Sequence, residues 1–209
     1  NKTLCGICLY SREWTKYQYG IYSFTTQNLN KSLVHQNTND LVVFRANAGG
    51  AYFNNTLHYF AYNANVVTYY EWDTDNWTLL RKKVLPDLNF IARSSAYDPV
   101  TKKVYGCYLT DNGADMQFGE ADYENLTQKF ICHLDTTYVA MACSKNGTLY
   151  AVSLGGNLYT LNKQTGDATL IGATGVEPTA YAQGMAFDYS TGCLYWIPTI
   201  SNDVSGLFT

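Results

Sequence analysis

The sequence predicts an all-β chain folded as a β-propeller, and three observations support this prediction. Strand-length apolar or aromatic runs alternate with short turns along the 209 residues. One type of strand recurs at nearly constant intervals, and no stretch shows the 3.6-residue period of an amphipathic helix. Four-stranded units that repeat every 40 to 50 residues or so are typical of propeller blades.

The clearest unit covers residues 142–172, where three strand-length runs occupy 148–153, 157–161 and 168–171. Turn residues separate these runs, with Asn146-Gly147 before the first and Gly166-Asp167 before the last. Glycine, asparagine and aspartate suit tight hairpin turns because they accept positive φ or bond their own backbone. The unit is therefore predicted to be a meander of antiparallel strands.

The second strand of this unit recurs in four places, in the segments NTLHYFA, KKVYGCY, GTLYAVS and GCLYWIP. Their anchor residues are Leu57, Val104, Leu149 and Leu194, which are separated by 47, 45 and 45 residues. A strand that opens with small residues precedes each anchor. An aromatic third strand and an amphipathic fourth strand complete the pattern, so the sequence predicts four antiparallel strands in each period of about 45 residues.

This pattern divides a single domain, residues 1–209, into about four and a half to five blades. We expect a partial blade at 1–40, blades at 41–90, 91–136 and 137–177, and a partial blade at 178–209. Residues 4–9 resemble an anchor strand, so the first strand of the N-terminal blade is missing. The alternatives are a larger ring, which we favour, and an irregular ring of five blades.

Several segments also carry a family resemblance, among them DPVTKKVYGCY, FDYSTGCLYW and GNLYTLNKQTGDATLIG. They resemble secreted or cell-surface propeller repeat proteins, especially those of bacteria of the Bacteroidetes type. The resemblance implies a propeller that is secreted, periplasmic or attached to the cell surface. It implies no particular activity.

Composition excludes some partners. Only 15% of the residues are charged and the formal net charge is −3, so no basic surface is expected for a nucleic-acid partner. No run approaches the 18 or so apolar residues of a membrane-spanning helix. The six cysteines are interpreted as small buried thiols. The alternatives are at least one disulfide among the six, or a metal site at Cys5 and Cys8.

Asn-X-Ser/Thr triplets begin at Asn1, Asn30, Asn54, Asn76, Asn125 and Asn146. In a secreted eukaryotic chain they would mark surface loops, whereas in a bacterial chain they would be ordinary turns.

The predicted binding site lies where loops converge on one mouth of the propeller channel. These loops precede the first strand of each blade or join its second and third strands. The candidate residues are Arg45, Arg93, Tyr138, Glu177, Tyr181, Gln183 and Trp196. Trp196 either stacks on a ligand or packs between blades.

No common catalytic motif is present, and the three histidines fall in different blades. We therefore expect no catalytic residue, no metal ligand and no cofactor. The sequence favours an extracellular or periplasmic binding or scaffold module for a protein, peptide or glycan. The alternative is a propeller hydrolase, lyase or cyclotransferase that uses carboxylates at the channel mouth, such as Asp111 with Asp115 or Glu177 with Asp203, with or without calcium.

Overall fold

The structure is a computed structural model that describes residues 3–8, 20–30, 32–36, 49–63, 66–85, 91–110, 115–179, 183–201 and 204–209. Regular secondary structure in these ranges consists entirely of strands, which confirms the all-β prediction. Within the same ranges, no helix is long and apolar enough to cross a membrane.

The strands form consecutive antiparallel sheets. The first sheet contains β1 (Thr3–Cys8), β2 (Gly20–Thr25) and β3 (Ser32–Gln36). The next contains β4 (Gly50–Phe53), β5 (Thr56–Asn63), β6 (Val66–Asp73) and β7 (Thr78–Leu85). It is followed by β8 (Ile91–Asp98), β9 (Lys103–Thr110), β10 (Asp115–Asp122) and β11 (Thr127–His133), and then by β12 (Tyr138–Cys143), β13 (Leu149–Ser153), β14 (Asn157–Leu161) and β15 (Ala168–Ala173).

The C-terminal part is built on the same plan. β16 (Gly184–Asp188) pairs with β17 (Cys193–Ile197), and a small hairpin of β18 (Thr199–Ser201) and β19 (Val204–Ser205) follows. Trp196 in β17 exchanges two backbone hydrogen bonds with Phe208, at 3.0 and 2.8 Å. The segment around Phe208 thus lies beside β17, where a third strand would lie.

Each sheet presents two kinds of end. Because neighbouring strands are antiparallel, the turn between first and second strands and the turn between third and fourth strands lie at the same end of a sheet. We call the surface formed by these turns the turn face, and the opposite surface the loop face. The turn face includes residues 54–55, 74–77, 123–126, 144–148 and 162–167.

The apolar core lies between adjacent sheets. Phe60 and Tyr69 of one sheet pack with Tyr108 of the next, and Tyr105 and Phe118 of that sheet pack in one cluster with residues of β12 and β13. A further cluster joins β12 and β13 to β17. The sheets of β8–β11 and β12–β15 therefore each bury both broad faces against neighbouring sheets, as stacked blades do.

First strands are joined to one another at their N-terminal ends, near the loop face. The Gly49 amide donates to the Ala92 carbonyl at 2.7 Å, and the Gln183 amide donates to the Val139 carbonyl at 3.0 Å. Between them, the Ser94 hydroxyl donates to the Tyr138 carbonyl at 2.7 Å. β8 and β12 carry β-bulges in this region, between Ala92 and Ser94 and between Tyr138 and Ala140. The bulges and hydrogen bonds hold neighbouring blades together at this end.

A buried ion pair joins two sheets at the turn face. Asp98 ends β8 and is completely buried, while Lys163 lies in the turn after β14. Lys163 Nζ is 2.6 Å from Asp98 Oδ2 and also donates to the Gly147 carbonyl at 2.7 Å. Burial alone would raise the pKa of Asp98, but hydrogen bonds from Lys163, Thr101 and the Val100 amide outweigh it and lower the pKa.

A buried polar chain lies at the interface between the second and third sheets. His58 Nδ1 is 2.7 Å from the Tyr69 hydroxyl, which donates its single proton to Glu71 at 2.8 Å. His58 is therefore the donor to Tyr69, in its Nδ1–H tautomer. Its ring also stacks on the rings of Phe53 and Tyr123, at centroid distances of 4.4 and 5.1 Å. Burial lowers the pKa of His58 to about 4, although the nearby Glu71 carboxylate partly opposes this.

This lowered pKa makes stability depend on pH. The unfolded chain protonates His58 near its ordinary pKa of about 6.5, whereas the folded chain resists protonation until about pH 4. We expect the free energy of unfolding to fall by about 3 kcal/mol through this residue as the pH drops across that window. Urea unfolding from pH 7 to pH 4 measures the effect. His58→Gln should remove this part of the dependence of unfolding free energy on pH, whereas the control His133→Gln, at an exposed site, should keep it. The same pH dependence in both variants and the unmodified chain would contradict the assignment to His58.

Candidate functional site

A cavity of about 370 Å³ lies among the first strands. Its walls come from the sheets that begin with β1, β4, β8, β12 and β16, and most of the lining residues are small, aromatic or methionine. The lining comprises Thr3, Leu4, Gly50, Ala51, Tyr52, Ser95, Ala96, Tyr97, Met141, Ala142, Cys143, Met185, Ala186, Phe187, Asp188, Tyr189 and Tyr195. The cavity is therefore the central channel around which the sheets are arranged.

The cavity occupies the half of the channel that is nearer the turn face. Its walls use the C-terminal parts of β8 and β12, at 95–97 and 141–143, and the equivalent residues 50–52 of the shorter β4, and they extend to Tyr189 in the turn after β16. The N-terminal end of β1 lines the same half, so β1 starts where the first strands end and runs in the direction of a second strand.

Two tyrosines give the cavity its accessible aromatic surface. Tyr52 is 57% exposed and Tyr189 is 40% exposed, although both line the cavity. The Tyr189 hydroxyl donates to the Cys143 carbonyl of the neighbouring sheet at 3.0 Å, and the Tyr52 hydroxyl donates to Asn55 Oδ1 at 3.3 Å. Each ring is therefore held by one hydrogen bond while a large part of its surface contacts solvent.

Asp188, the carboxylate among the described lining residues, already accepts hydrogen bonds within its own turn. Asp188 Oδ1 accepts hydrogen bonds from the Ser190 amide and hydroxyl, at 2.9 and 2.8 Å, and Oδ2 accepts one from the Thr191 hydroxyl at 2.9 Å. These bonds close the turn after β16, as an Asx turn does. The remaining lining side chains are uncharged, so the cavity offers apolar surface and hydroxyl groups rather than a strong electric field.

No known protein family and no curated protein matches this sequence. Solved structures do match. A glutaminyl cyclase from Myxococcus xanthus shares 13% identity with a TM-score of 0.58, over 88% of this chain and 79% of that chain. TolB from Acinetobacter baumannii shares 12% identity with a TM-score of 0.52, over 90% of this chain and 45% of that one. A gluconolactonase from Xanthomonas campestris shares 13% identity with a TM-score of 0.51, over 86% and 62%.

The chain is a β-propeller. At these identities the likeness establishes the fold alone, and the chain spans less than half of the TolB chain. The predicted fold class is confirmed, and the sheets described above are the blades of the propeller.

Of the predicted binding residues that the structure describes, none lines the cavity. Arg45 and Tyr181 lie outside the described residues. Glu177 is exposed, whereas Tyr138 is buried in the core between two blades, where burial raises its pKa to about 12. Arg93 lies at the bulge of β8, and burial lowers the pKa of its guanidinium. The predicted binding role of these residues remains a prediction.

Gln183 and Trp196 are brought into contact. The Trp196 indole N–H donates to Gln183 Oε1 at 3.2 Å, and Gln183 Nε2 donates to the Thr179 carbonyl at 2.9 Å. Trp196 is buried and packs with Val139 and Val152. Of the two alternatives for Trp196, the structure thus shows packing between blades, with Gln183 fixing the indole.

The loop face carries an acid–imidazole pair at the outer part of its blade. Asp115 begins β10 and His133 ends β11, and His133 Nδ1 lies 3.1 Å from Asp115 Oδ1. Hydrogen bonds from Gln117, at 2.8 Å, and from His133 lower the pKa of Asp115. His133 is 68% exposed, and neither residue lines the central cavity. Of the paired carboxylates considered from the sequence, Asp111 and Asp203 lie outside the described residues.

Sequence reasoning missed the cavity tyrosines, although a signal was present. Each first strand has one residue directly opposite the anchor of the second strand: Tyr52, Tyr97, Cys143 and Phe187. All four line the cavity. The repeat alignment contains these positions, and three of them are aromatic. A search for aromatic residues paired with the anchors would have indicated the channel wall.

The five described cysteines are free thiols, as the sequence indicated, but the expected burial is correct for only two of them. Cys107 and Cys143 are buried, Cys5 and Cys193 are exposed, and all are free, as is Cys132. Burial raises the pKa of Cys107 to about 12, so this thiol stays protonated at neutral pH. Among the described residues, no group of three or more His, Cys, Asp or Glu side chains is arranged to hold a metal ion.

Proposed function

We propose that this propeller is a non-catalytic extracellular or periplasmic binding module whose central cavity takes an uncharged segment of a glycan or peptide. The exposed aromatic surface of Tyr52 and Tyr189 beside the cavity is the observation that carries the proposal. Tyrosine rings pack on the apolar faces of sugars and side chains, and their hydroxyls supply hydrogen bonds at the edge. Concave, mostly apolar cavities with a few polar groups are typical ligand sites.

The charge of the lining supports an uncharged ligand. Among the described residues of the cavity wall, Asp188 is the lone carboxylate, and it is held by its own turn. No lysine, arginine or histidine belongs to this described part of the wall. An ionic ligand would lose hydration without gaining a partner of opposite charge. A neutral ligand avoids this cost, so apolar contact and hydroxyl groups supply its affinity.

Tyrosine substitutions test the cavity. Screening the whole chain on arrays of neutral oligosaccharides and of uncharged peptides supplies the probe, and titration calorimetry then measures its affinity. Tyr52→Ser and Tyr189→Ser should each weaken binding about tenfold or more, because each removes most of an aromatic contact surface.

The loop-face substitutions Gln183→Ala and Arg93→Ala are the matched comparison. With the ligand in the cavity, both should bind the probe as the unmodified chain does. If they abolish binding while the tyrosine variants retain it, the site belongs to the loop face, as the sequence predicted. Binding of anionic probes alone would contradict the uncharged-ligand proposal.

The second candidate function is a propeller enzyme, favoured by the Asp115–His133 pair. A carboxylate that orients an exposed imidazole is an arrangement used for general-base catalysis. The reactions named for two structural neighbours supply assays: hydrolysis of gluconolactone and cyclisation of an N-terminal glutaminyl peptide. Turnover that is lost in His133→Gln would support the enzyme, and an absence of turnover of both substrates would remove its specific support.

A further inference from the structure

The Asn-X-Ser/Thr triplets of this chain share one surface. Five of the six fall within the described residues, and their asparagines are all exposed: Asn30, Asn54, Asn76, Asn125 and Asn146. Asn54 and Asn146 occupy turns between first and second strands. Asn76 and Asn125 occupy turns between third and fourth strands. Both kinds of turn belong to the turn face.

Asn30 joins the same group because of the direction of β1. Since β1 runs as a second strand, β2 and β3 correspond to third and fourth strands, and the connection between them lies at the turn face. Asn30 is in this connection, and its amide donates to Asn28 Oδ1 at 3.0 Å. All five described triplets thus lie on one face of the propeller, whereas the loop face has none among the described residues.

The local geometry leaves the acceptor nitrogens accessible. Asn76 Oδ1 accepts a hydrogen bond from the Thr78 amide at 2.9 Å, and Asn146 Oδ1 accepts one from the Thr148 hydroxyl at 3.3 Å. These bonds use the side-chain oxygen and not Nδ2. Asn125 Nδ2 donates one of its two protons to Asp122 Oδ2 at 2.7 Å. A glycan on Nδ2 replaces a single N–H, so a secondary amide at Asn125 retains a proton for Asp122.

We infer that the chain is secreted by a eukaryotic cell, that these five asparagines are N-glycosylation sites and that the turn face is the glycosylated face of the protein, which selects the extracellular location over the periplasmic one. Tight turns alone explain asparagine, but they do not require a hydroxyl residue two positions later. At Asn54, Asn76, Asn125 and Asn146 the turn ends in threonine each time. By contrast, Asn162 lies in the equivalent third-to-fourth-strand turn and is followed two residues later by Gln164.

The glycans have a consequence for binding that rests on the proposed function. Asn54 is two residues beyond the cavity residue Tyr52, and Asn146 is three beyond Cys143. Bulky, hydrated glycans at these positions stand beside the cavity opening. They exclude a broad protein surface from this face but leave room for a slender chain, whereas the loop face stays open to larger partners.

Site-resolved mass spectrometry tests the inference. The whole chain is secreted from a eukaryotic cell line and digested with peptide-N-glycosidase in H₂¹⁸O, which converts each glycosylated asparagine into ¹⁸O-labelled aspartate. We expect the label at Asn30, Asn54, Asn76, Asn125 and Asn146. Two exposed turn asparagines without the motif, Asn55 and Asn162, should remain unlabelled as internal controls.

The same peptide map of the protein from its natural source decides whether the modification is native. Label at most of the five positions in both preparations supports the inference. Unmodified asparagine at most of them in either preparation overturns it. Thr78→Ala and Thr127→Ala should each remove one glycan while leaving the acceptor asparagine in place. Glycan occupancy is measured without a binding ligand. A failure of the glycosylation inference is therefore distinguishable from a failure of the proposed binding function.

Discussion

Lys163→Met should destabilise the protein by about 3–5 kcal/mol at pH 7, the cost typical of removing one partner from a buried ion pair. Asp98 has no exposed surface, and Lys163 is the positive charge that approaches it at 2.6 Å. The substitution leaves the carboxylate buried with hydrogen bonds from its own turn but without a counter-charge. It also removes the bond to the Gly147 carbonyl. Equilibrium unfolding in urea measures the loss.

Lys103→Met is the matched control. Lys103 Nζ lies 2.8 Å from Glu120 Oε2, a similar distance, but Lys103 is 47% exposed. Solvent and salt screen an exposed pair, so this substitution should change stability little. Equal losses in the two variants would contradict the role assigned to burial.

The effect of Lys163→Met should also depend on pH. In the unmodified protein the lowered pKa of Asp98 contributes stability above its unfolded value of about 3.9, and this contribution is lost as the pH falls through the lower folded value. Without Lys163, burial favours the protonated acid, so the deficit should shrink as the pH decreases. The double variant Asp98→Asn/Lys163→Met should lose less than the sum of the single losses, because the two residues are coupled.

Gly156→Ala should cost about 3 kcal/mol, from two effects that act together. Gly156 has a φ of +75°, which disfavours any residue with a Cβ. A Cβ at this position would also collide with the backbone carbonyl of Val176. The collision cannot be relieved by a rotamer change, because the obstacle is main chain. The Gly156 carbonyl accepts hydrogen bonds from the Thr174 amide and hydroxyl, at 2.9 and 2.7 Å, so the backbone at Gly156 is held in place.

Gly172→Ala provides the comparison within the same blade. No heavy atom lies within 4 Å of the position a Cβ would take there, and the backbone needs no left-handed conformation. Its thermal unfolding midpoint should match that of the unmodified chain, whereas Gly156→Ala should unfold many degrees lower. Similar midpoints for the two variants would show that the 154–156 turn rearranges at little cost.

The repeat frame could be predicted from the sequence because packing between blades acts on residue type. Leu57, Val104 and Leu149 occupy equivalent positions in second strands, which lie between two neighbouring strands in each four-stranded sheet. Their environment is the same in each blade, so similar residues recur at nearly constant spacing. The direction of β1 was predictable for the same reason, since residues 4–9 match the anchor pattern.

The end of the channel that holds the cavity could not be predicted in this way. It depends on how closely the first strands approach one another, which is set by the bulges in β8 and β12 and by backbone bonds such as Gln183 to Val139. A bulge has no distinctive residue here, because Arg93 and Val139 are chemically unlike. Burial of Tyr138 and Trp196 likewise follows from this close approach. The sequence analysis therefore placed the binding site at the loop face, where loops converge, whereas the cavity lies near the turn face.

The contacts between blades also set how the chain assembles. Ser95 bonds to Gly50 across 45 residues, Ser94 to Tyr138 across 44, and Tyr189 to Cys143 across 46. Each docking step thus closes a loop of about one repeat, and the entropy of loop closure depends only weakly on length. Every interface pays nearly the same entropic cost, so folding is free to nucleate at the hairpin pair that is most stable and to spread from it in both directions along the chain.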